Sequence, residues 1–287
     1  MWNAIAQQIS DAIGRDFKIR ERQRISGGDI HQAYRVADHH CALFVKVNRR
    51  DQVELFETEA HGLGLLAQSP LLTVPEVITV GDCAEGAFIA LQYLEMGNGS
   101  DAQWYQFGQA VASMHRDHAQ SLYGYDDDNY IGTTLQPNRW QKNWAEFFAE
   151  QRIGWQLKLA QERGYRLGNS AQWIDSCAEA LRGHQPLPSL LHGDLWRGNL
   201  AFVDGQGCLF DPACYYGDRE TDMAMSTLFS PLPRDFYKGY DAEWPLDPGY
   251  GHREGIYQLY HLLNHLNLFG GSYLQQCQRK LQELFCD

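Results

Sequence analysis

Five side chains stand in an order that could move a phosphoryl group. Lys46 lies in LFVKVN, Glu59 in FETEAHGL, Asp194 and Asn199 in LLHGDLWRGNLAF, and Asp211 opens DPACYYGD. Phosphoryl transfer is mostly positioning and charge neutralisation. It asks for a lysine on the phosphates, a carboxylate to hold that lysine, and a carboxylate that accepts the proton of the attacking hydroxyl. It also asks for oxygen donors to hold Mg2+. Lys46 and Glu59 suit the first pair, Asp194 the proton acceptor, and Asn199 with Asp211 the metal donors.

Singly, none of these is specific. A lysine in a strand is most often an edge residue, and Glu59 shares its stretch with Glu54 and Glu57. His-Gly-Asp can be a turn, and Asp before Pro often starts one. The order carries the signal: strand Lys, helix Glu, an Asp and an Asn spaced as in H-R-D-x-x-x-x-N, then a metal Asp, which is the layout of the protein-kinase motifs. Gly27 and Gly28 in ISGGDIHQAYRV fall short of G-x-G-x-x-G. They fit a hairpin turn or a loop whose backbone N–H groups face the phosphates.

The elements that must position these groups can be read from the pattern. Residues 3–14 are amphipathic and predict a helix. CALFVKVN is a β-type run, 51–69 is helical in period, and PEVITVGDC and GAFIALQYLEM predict two more strands. Beyond the Gly/Asn/Ser stretch near residue 97, residues 101–118, 141–163 and 170–183 predict helices, and 124–138 reads as a loop. Short strands follow at LAFV and CLFD, with helices again from Asp222. The expectation is an α+β, bilobal fold. Residues 1–96 form a small antiparallel-sheet lobe with one helix that binds ATP, and 97–287 a larger, mainly helical catalytic lobe.

Bulk properties narrow the function. The chain has 287 residues, 44% apolar and 21% charged, with a formal net charge of −12. That balance argues against a sequence-independent nucleic-acid binder, which needs clustered Lys and Arg. Seven scattered cysteines without a CxxC pair read as reduced thiols. No apolar run reaches the ~18 residues of a membrane span, and the N-terminus lacks the pattern of a signal peptide. The reading is a cytoplasmic protein with no membrane partner; oligomeric state is not legible.

The constellation resembles the fructosamine kinases (ketosamine-3-kinases), within the wider group of aminoglycoside-phosphotransferase-like, protein-kinase-like enzymes. The segments that carry the resemblance are LFVKVNRR, FETEAHGL, DNYIGTTLQPN, NWAEFFAEQRIGWQL, LLHGDLWRGN and DPACYYGDRETDMAMSTLF, spread over nearly the whole chain. It implies ATP-dependent phosphorylation of the sugar 3-hydroxyl of ketosamines, free or on glycated protein lysines. Elimination of the 3-phosphate then frees the amine, which makes the reaction a deglycating repair. Ribulosamines and erythrulosamines are the substrates implied for bacterial-like members, ahead of fructosamines. The resemblance makes Asp194 the general base, Asn199 and Asp211 the Mg2+ ligands, and Lys46 with Glu59 the phosphate anchor. Gln92, Tyr93 and Leu94 become the adenine-lining hinge, and Trp196 part of the sugar pocket. Asp29 stands where some members carry a loop cysteine, so no disulfide switch is expected there. Asp218 stands where others carry histidine.

Other candidates read as structural. His261 and His265 lack the Glu of H-E-x-x-H, His115 and His118 are expected in solvent, Asp126 to Asp128 lack calcium-loop spacing, and Cys208 and Cys214 are expected as buried thiols. Two other readings remain at this stage: a kinase of another alcohol, aminoglycoside- or choline-like, and a nucleotide-binding module without turnover.

Overall fold

The computed structural model describes residues 1–25 and 31–285. It is a mixed α+β chain of two compact units. One comprises Met1–Gly99 with Ala201–Asp211; the other comprises Ser100–Leu200 and the chain from Pro212 onward.

The first unit opens with helix α1 (Trp2–Ile13), followed by β1 (Glu21–Ile25), β2 (Gln32–Ala37), β3 (Ala42–Asn48), α2 (Val53–Leu66), β4 (Val77–Cys83) and β5 (Gly86–Gln92). The strands form one antiparallel sheet in the order β1-β2-β3-β5-β4. Side chains alternate across a strand, and here both faces are covered. Leu43, Val45 and Val47 of β3 pack with Phe88 and Ala90 of β5 against Ile5 and Ile9 of α1. The opposite face of β5, Ala87, Ile89 and Leu91, packs on Phe56 and Leu63 of α2, with Phe44 beside them. Lys46 alternates with Val45 and Val47, so it shares the α2 face with Phe44.

The segment Ala201–Asp211 joins this unit through backbone bonds. Gly97 and Phe202 exchange N–H···O bonds of 2.8 and 3.2 Å. Thr73 N–H donates to Gly207 O at 2.9 Å, and Leu209 N–H to Thr73 O at 3.0 Å.

The second unit is mainly helical. It begins at Asp101–Asp117, whose start is fixed by a reciprocal capping box between Ser100 and Gln103. The helical stretch from Trp144 to Glu162 passes through a π-helical segment, Phe148–Gly154. Helices Ser170–Ala180, Glu220–Leu228, Arg234–Glu243, Tyr250–Phe269 and Leu274–Phe285 complete the helical part. Trp144, Phe147, Phe148, Tyr257, Tyr260 and Leu263 lie in one buried core. Residues 124–138, expected as a loop, contain a short hairpin, Asn129–Ile131 paired with Thr134–Gln136. Ser189–Leu191 pairs antiparallel with Tyr215–Gly217. That pairing sets the His192–Asp194 turn beside the backbone of Ala213. Among the described residues no helix is long and apolar enough to cross a membrane.

Candidate active site

Within the first unit the structure brings Lys46, Glu59 and Asp211 together. Lys46 Nζ donates to Glu59 Oε1 at 2.7 Å and also pairs with Asp211 Oδ1. The helix phase decides which glutamate meets the lysine. Glu59 lies three residues after Phe56 and four before Leu63, on the buried stripe of α2, whereas Glu54 and Glu57 are exposed. Burial works against the charge of Lys46, but Asp211 and then Glu59 outweigh it and hold the ammonium above its usual range. Burial lifts the Glu59 carboxyl, against the pull of Lys46. Asp211 is the more open partner, with 45% of its side chain exposed. Its φ of 55° is left-handed, a conformation uncommon for a residue with a Cβ.

His31, which sequence reasoning passed over, belongs to this group. Its Nδ1 accepts from Asn48 Nδ2 at 2.9 Å and its ring packs on Phe56 at 5.0 Å. Burial, then the neighbouring Lys46, pushes its pKa down to about 4, so the ring is neutral at pH 7. Gln92, at the end of β5, donates its N–H to Glu76 O at 2.8 Å. Tyr93 and Leu94 follow half-buried, and Arg35 lies over the Tyr93 ring at 5.3 Å. Gly27, Gly28 and Asp29 lie outside the described residues.

Within the second unit the structure brings Asp194 and Asn199 together. Asn199 Nδ2 donates to Asp194 Oδ2 at 2.8 Å and to its carbonyl at 3.0 Å. Gly193 turns the chain with φ 82°, and a Cβ there would lie 2.0 Å from Ala213 O, so only glycine fits. Trp196 is half-buried and meets Phe229 edge-on at 6.5 Å between centroids. The indole runs over Gly198, where a Cβ would sit 2.4 Å from the ring.

One carboxylate fixes this loop. Asp222, fully buried, accepts from the N–H groups of His192 at 2.7 Å and Gly193 at 2.9 Å. His115 Nε2 lies 3.1 Å from the same side chain, and His115 Nδ1 2.8 Å from Tyr240 Oη. Burial alone would raise the Asp222 carboxyl. Its bond to His115 and its contacts with His115 and His192 hold it below the usual aspartate range. His115 is thus 0% exposed, not in solvent as expected. The signal was there: His115 lies four residues after Val111 and eight after Phe107, on the apolar stripe of its helix.

The remaining candidates are structural. His261 is buried, and burial drops its pKa to about 3; His265 Nδ1 lies 2.9 Å from His261 O. Burial pushes the Cys208 thiol up to about 12. Asp126 to Asp128 are exposed, with Asp128 accepting from Asn138 N–H at 2.8 Å. Asp218 is buried between His184 Nε2 at 2.7 Å and Tyr257 Oη at 2.6 Å. His184, Asp218 and Glu220 place potential ligand atoms within 4.8 Å of one another. Arg253 nevertheless engages both Glu220 oxygens, at 2.7 and 2.8 Å, which makes this an ion-pair network rather than a metal centre.

The family described as fructosamine kinase matches residues 1–287. A probable ketoamine kinase of Vibrio parahaemolyticus is 48% identical over 285 residues, 99% of each chain. The crystal structure of a putative fructosamine-3-kinase from Haemophilus somnus superposes with a TM-score of 0.95 at 36% identity, over 99% of this chain and 97% of that one. The aminoglycoside phosphotransferase APH(4)-Ia shares the fold, with a TM-score of 0.66 at 13% identity over 99% and 98% of the two chains.

Proposed function

The chain belongs to the fructosamine kinase family, and from that premise we propose that it transfers the γ-phosphoryl group of ATP to the sugar 3-hydroxyl of a ketosamine. The observation that carries the proposal is the buried Lys46 ammonium held between Glu59 and Asp211. A lysine so fixed is a positive charge offered to phosphate oxygens, and a hydrophobic sheet has no structural need of it. On this reading the sheet unit binds ATP, with Gln92, Tyr93 and Leu94 along the adenine and Gly27 and Gly28 over the phosphates. Asp194 accepts the proton of the 3-hydroxyl as its oxygen bonds the γ-phosphorus and the bond to the β-phosphate oxygen breaks. Trp196 lies against the sugar.

Asn199 and Asp211 are the proposed Mg2+ ligands. The donor set fits a hard cation: both offer oxygen, and Asn199 turns its amide nitrogen to Asp194, which puts Oδ1 on the opposite side of the amide. Mg2+, when bound, offsets charge on the phosphate oxygens. The substrates we propose are ribulosamines and erythrulosamines, with fructosamines and glycated protein lysines, and the role is deglycation. The cytoplasm is the proposed location, since seven scattered cysteines without a CxxC pair suit a reducing compartment.

Purified protein with ATP, Mg2+ and ribulosyl- or fructosyl-lysine is expected to release ADP and give a sugar 3-phosphate ester by phosphorus NMR. An ester at another position, or none with these acceptors while aminoglycosides or choline are phosphorylated, would replace the substrate class. Nucleotide binding without turnover on any of them would reduce the protein to a binding module. Gly198→Ala tests the sugar pocket. The added methyl must displace the Trp196 indole, so KM for the ketosamine is expected to rise roughly tenfold, about 1.4 kcal/mol, with KM for ATP unchanged. Equal rises in both would remove Trp196 from the sugar.

A further inference from the structure

The hairpin Asn129–Ile131/Thr134–Gln136 has no part in the chemistry above, yet its side chains form a buried chain of amides. Arg152 Nη2 donates to Asn138 Oδ1 at 2.7 Å. Asn138 Nδ2 and Gln136 Nε2 both donate to Asn129 Oδ1 at 2.8 Å. Asn129 Nδ2 donates to Cys214 O at 2.7 Å, Gln136 Nε2 to Ala213 O at 3.1 Å, and Tyr260 Oη to Gln136 Oε1 at 2.5 Å. All five side chains are at most 5% exposed. The amide orientations are forced, because the two backbone carbonyls can only accept.

The chain leads to the catalytic loop. Ala213 N–H donates to His192 O at 2.8 Å, two residues before Asp194. Arg152 heads the network, and among the described residues no carboxylate pairs with it. Its guanidinium lies 4.0 Å over the ring of Tyr215, the residue after Cys214. A buried cation without a carboxylate is costly, and apolar side chains would fill the same space more cheaply. What such a network provides is a single geometry, since each amide is ordered by the next.

We infer that Asn129, Gln136 and Asn138, headed by Arg152, are positioning residues for phosphoryl transfer. They grip the carbonyls of Ala213 and Cys214 and, through the Ala213–His192 bond, set the place of the Asp194 carboxylate without touching substrate. The inference rests on the ketosamine-kinase reading.

The test compares Gln136→Met with Trp173→Phe. Trp173 is also buried, but its indole N–H donates to Leu167 O at 2.6 Å, away from the loop. Kinetics, melting temperature and hydrogen exchange at the Ala213 amide are measured for both. Gln136→Met is expected to lower kcat by about 10- to 100-fold, leave both KM values within about twofold, and speed exchange at Ala213. Trp173→Phe is expected to melt earlier with kcat and Ala213 exchange unchanged. Equal loss of kcat in the two, or unchanged exchange at Ala213 in Gln136→Met, overturns the inference. If Gln136→Met does not fold, Tyr260→Phe removes one hydroxyl from the same chain and is expected to lower kcat several-fold with the same split. If the wild type phosphorylates no ketosamine, the functional reading fails, and the exchange difference still decides whether the amides hold the loop.

Discussion

Asp194→Asn is expected to lower kcat by about 10²- to 10⁴-fold, the range that a positioned general base contributes, while nucleotide binding persists. The substitution keeps the side chain's size, and an amide oxygen can still accept the Asn199 Nδ2 bond that Asp194 Oδ2 accepts at 2.8 Å. The Asp222 bonds to the N–H groups of His192 and Gly193 do not involve the substituted atoms. The loop therefore keeps its anchors, and what disappears is the basicity that takes the hydroxyl proton. Ketosamine-dependent ADP release gives kcat, calorimetry gives nucleotide affinity, and a thermal melt checks folding. A kcat within tenfold of wild type, with folding intact, removes Asp194 as the base and leaves the rest of the site standing. Weakened nucleotide binding would instead mean that the carboxylate serves the phosphates.

The groups that sequence reading found are those tied to local pattern. The β-run 41–48 and the helical period of 51–69 put Lys46 on a strand and Glu59 on the helix after it, and the HGDLWRGN spacing joined Asp194 to Asn199. The resemblance to a family covered nearly the whole chain because its motifs are spread along it. What sequence did not reveal depends on contacts between distant segments. His115 and Asp222 lie 107 residues apart and meet in the core, so neither announces the other. The hairpin at 129–136 has strands of three residues, too short for a period-2 signal, and its polar side chains read as loop although they are buried. The return of Ala201–Asp211 to the sheet unit is likewise set by backbone bonds to Thr73 and Gly97 that no linear boundary can express.

Asp222 is the residue whose loss is expected to cost the fold most. It carries a fully buried charge, satisfied by two backbone donors and by His115. In Asp222→Asn one amide oxygen can accept one of the two N–H groups, while the –NH2 is turned towards the other. One buried donor then loses its partner, and the pairing with His115 loses its charge. Removing one side of such a buried network costs about 2–5 kcal/mol, and the displaced turn carries Asp194 with it, so activity falls along with stability. The pH dependence identifies the cause. The folded Asp222 carboxyl lies below its ordinary value of 3.8. It therefore contributes stability that is fully present above about 3.8 and is lost as pH falls through the lower, folded value. Urea unfolding of both proteins from pH 3 to pH 7 is expected to show the full deficit of Asp222→Asn above pH 4 and a narrowing gap below it. A deficit that stays constant down to pH 3 would mean that the side chain acts by shape alone, and no deficit at all would mean that the loop is held by other bonds.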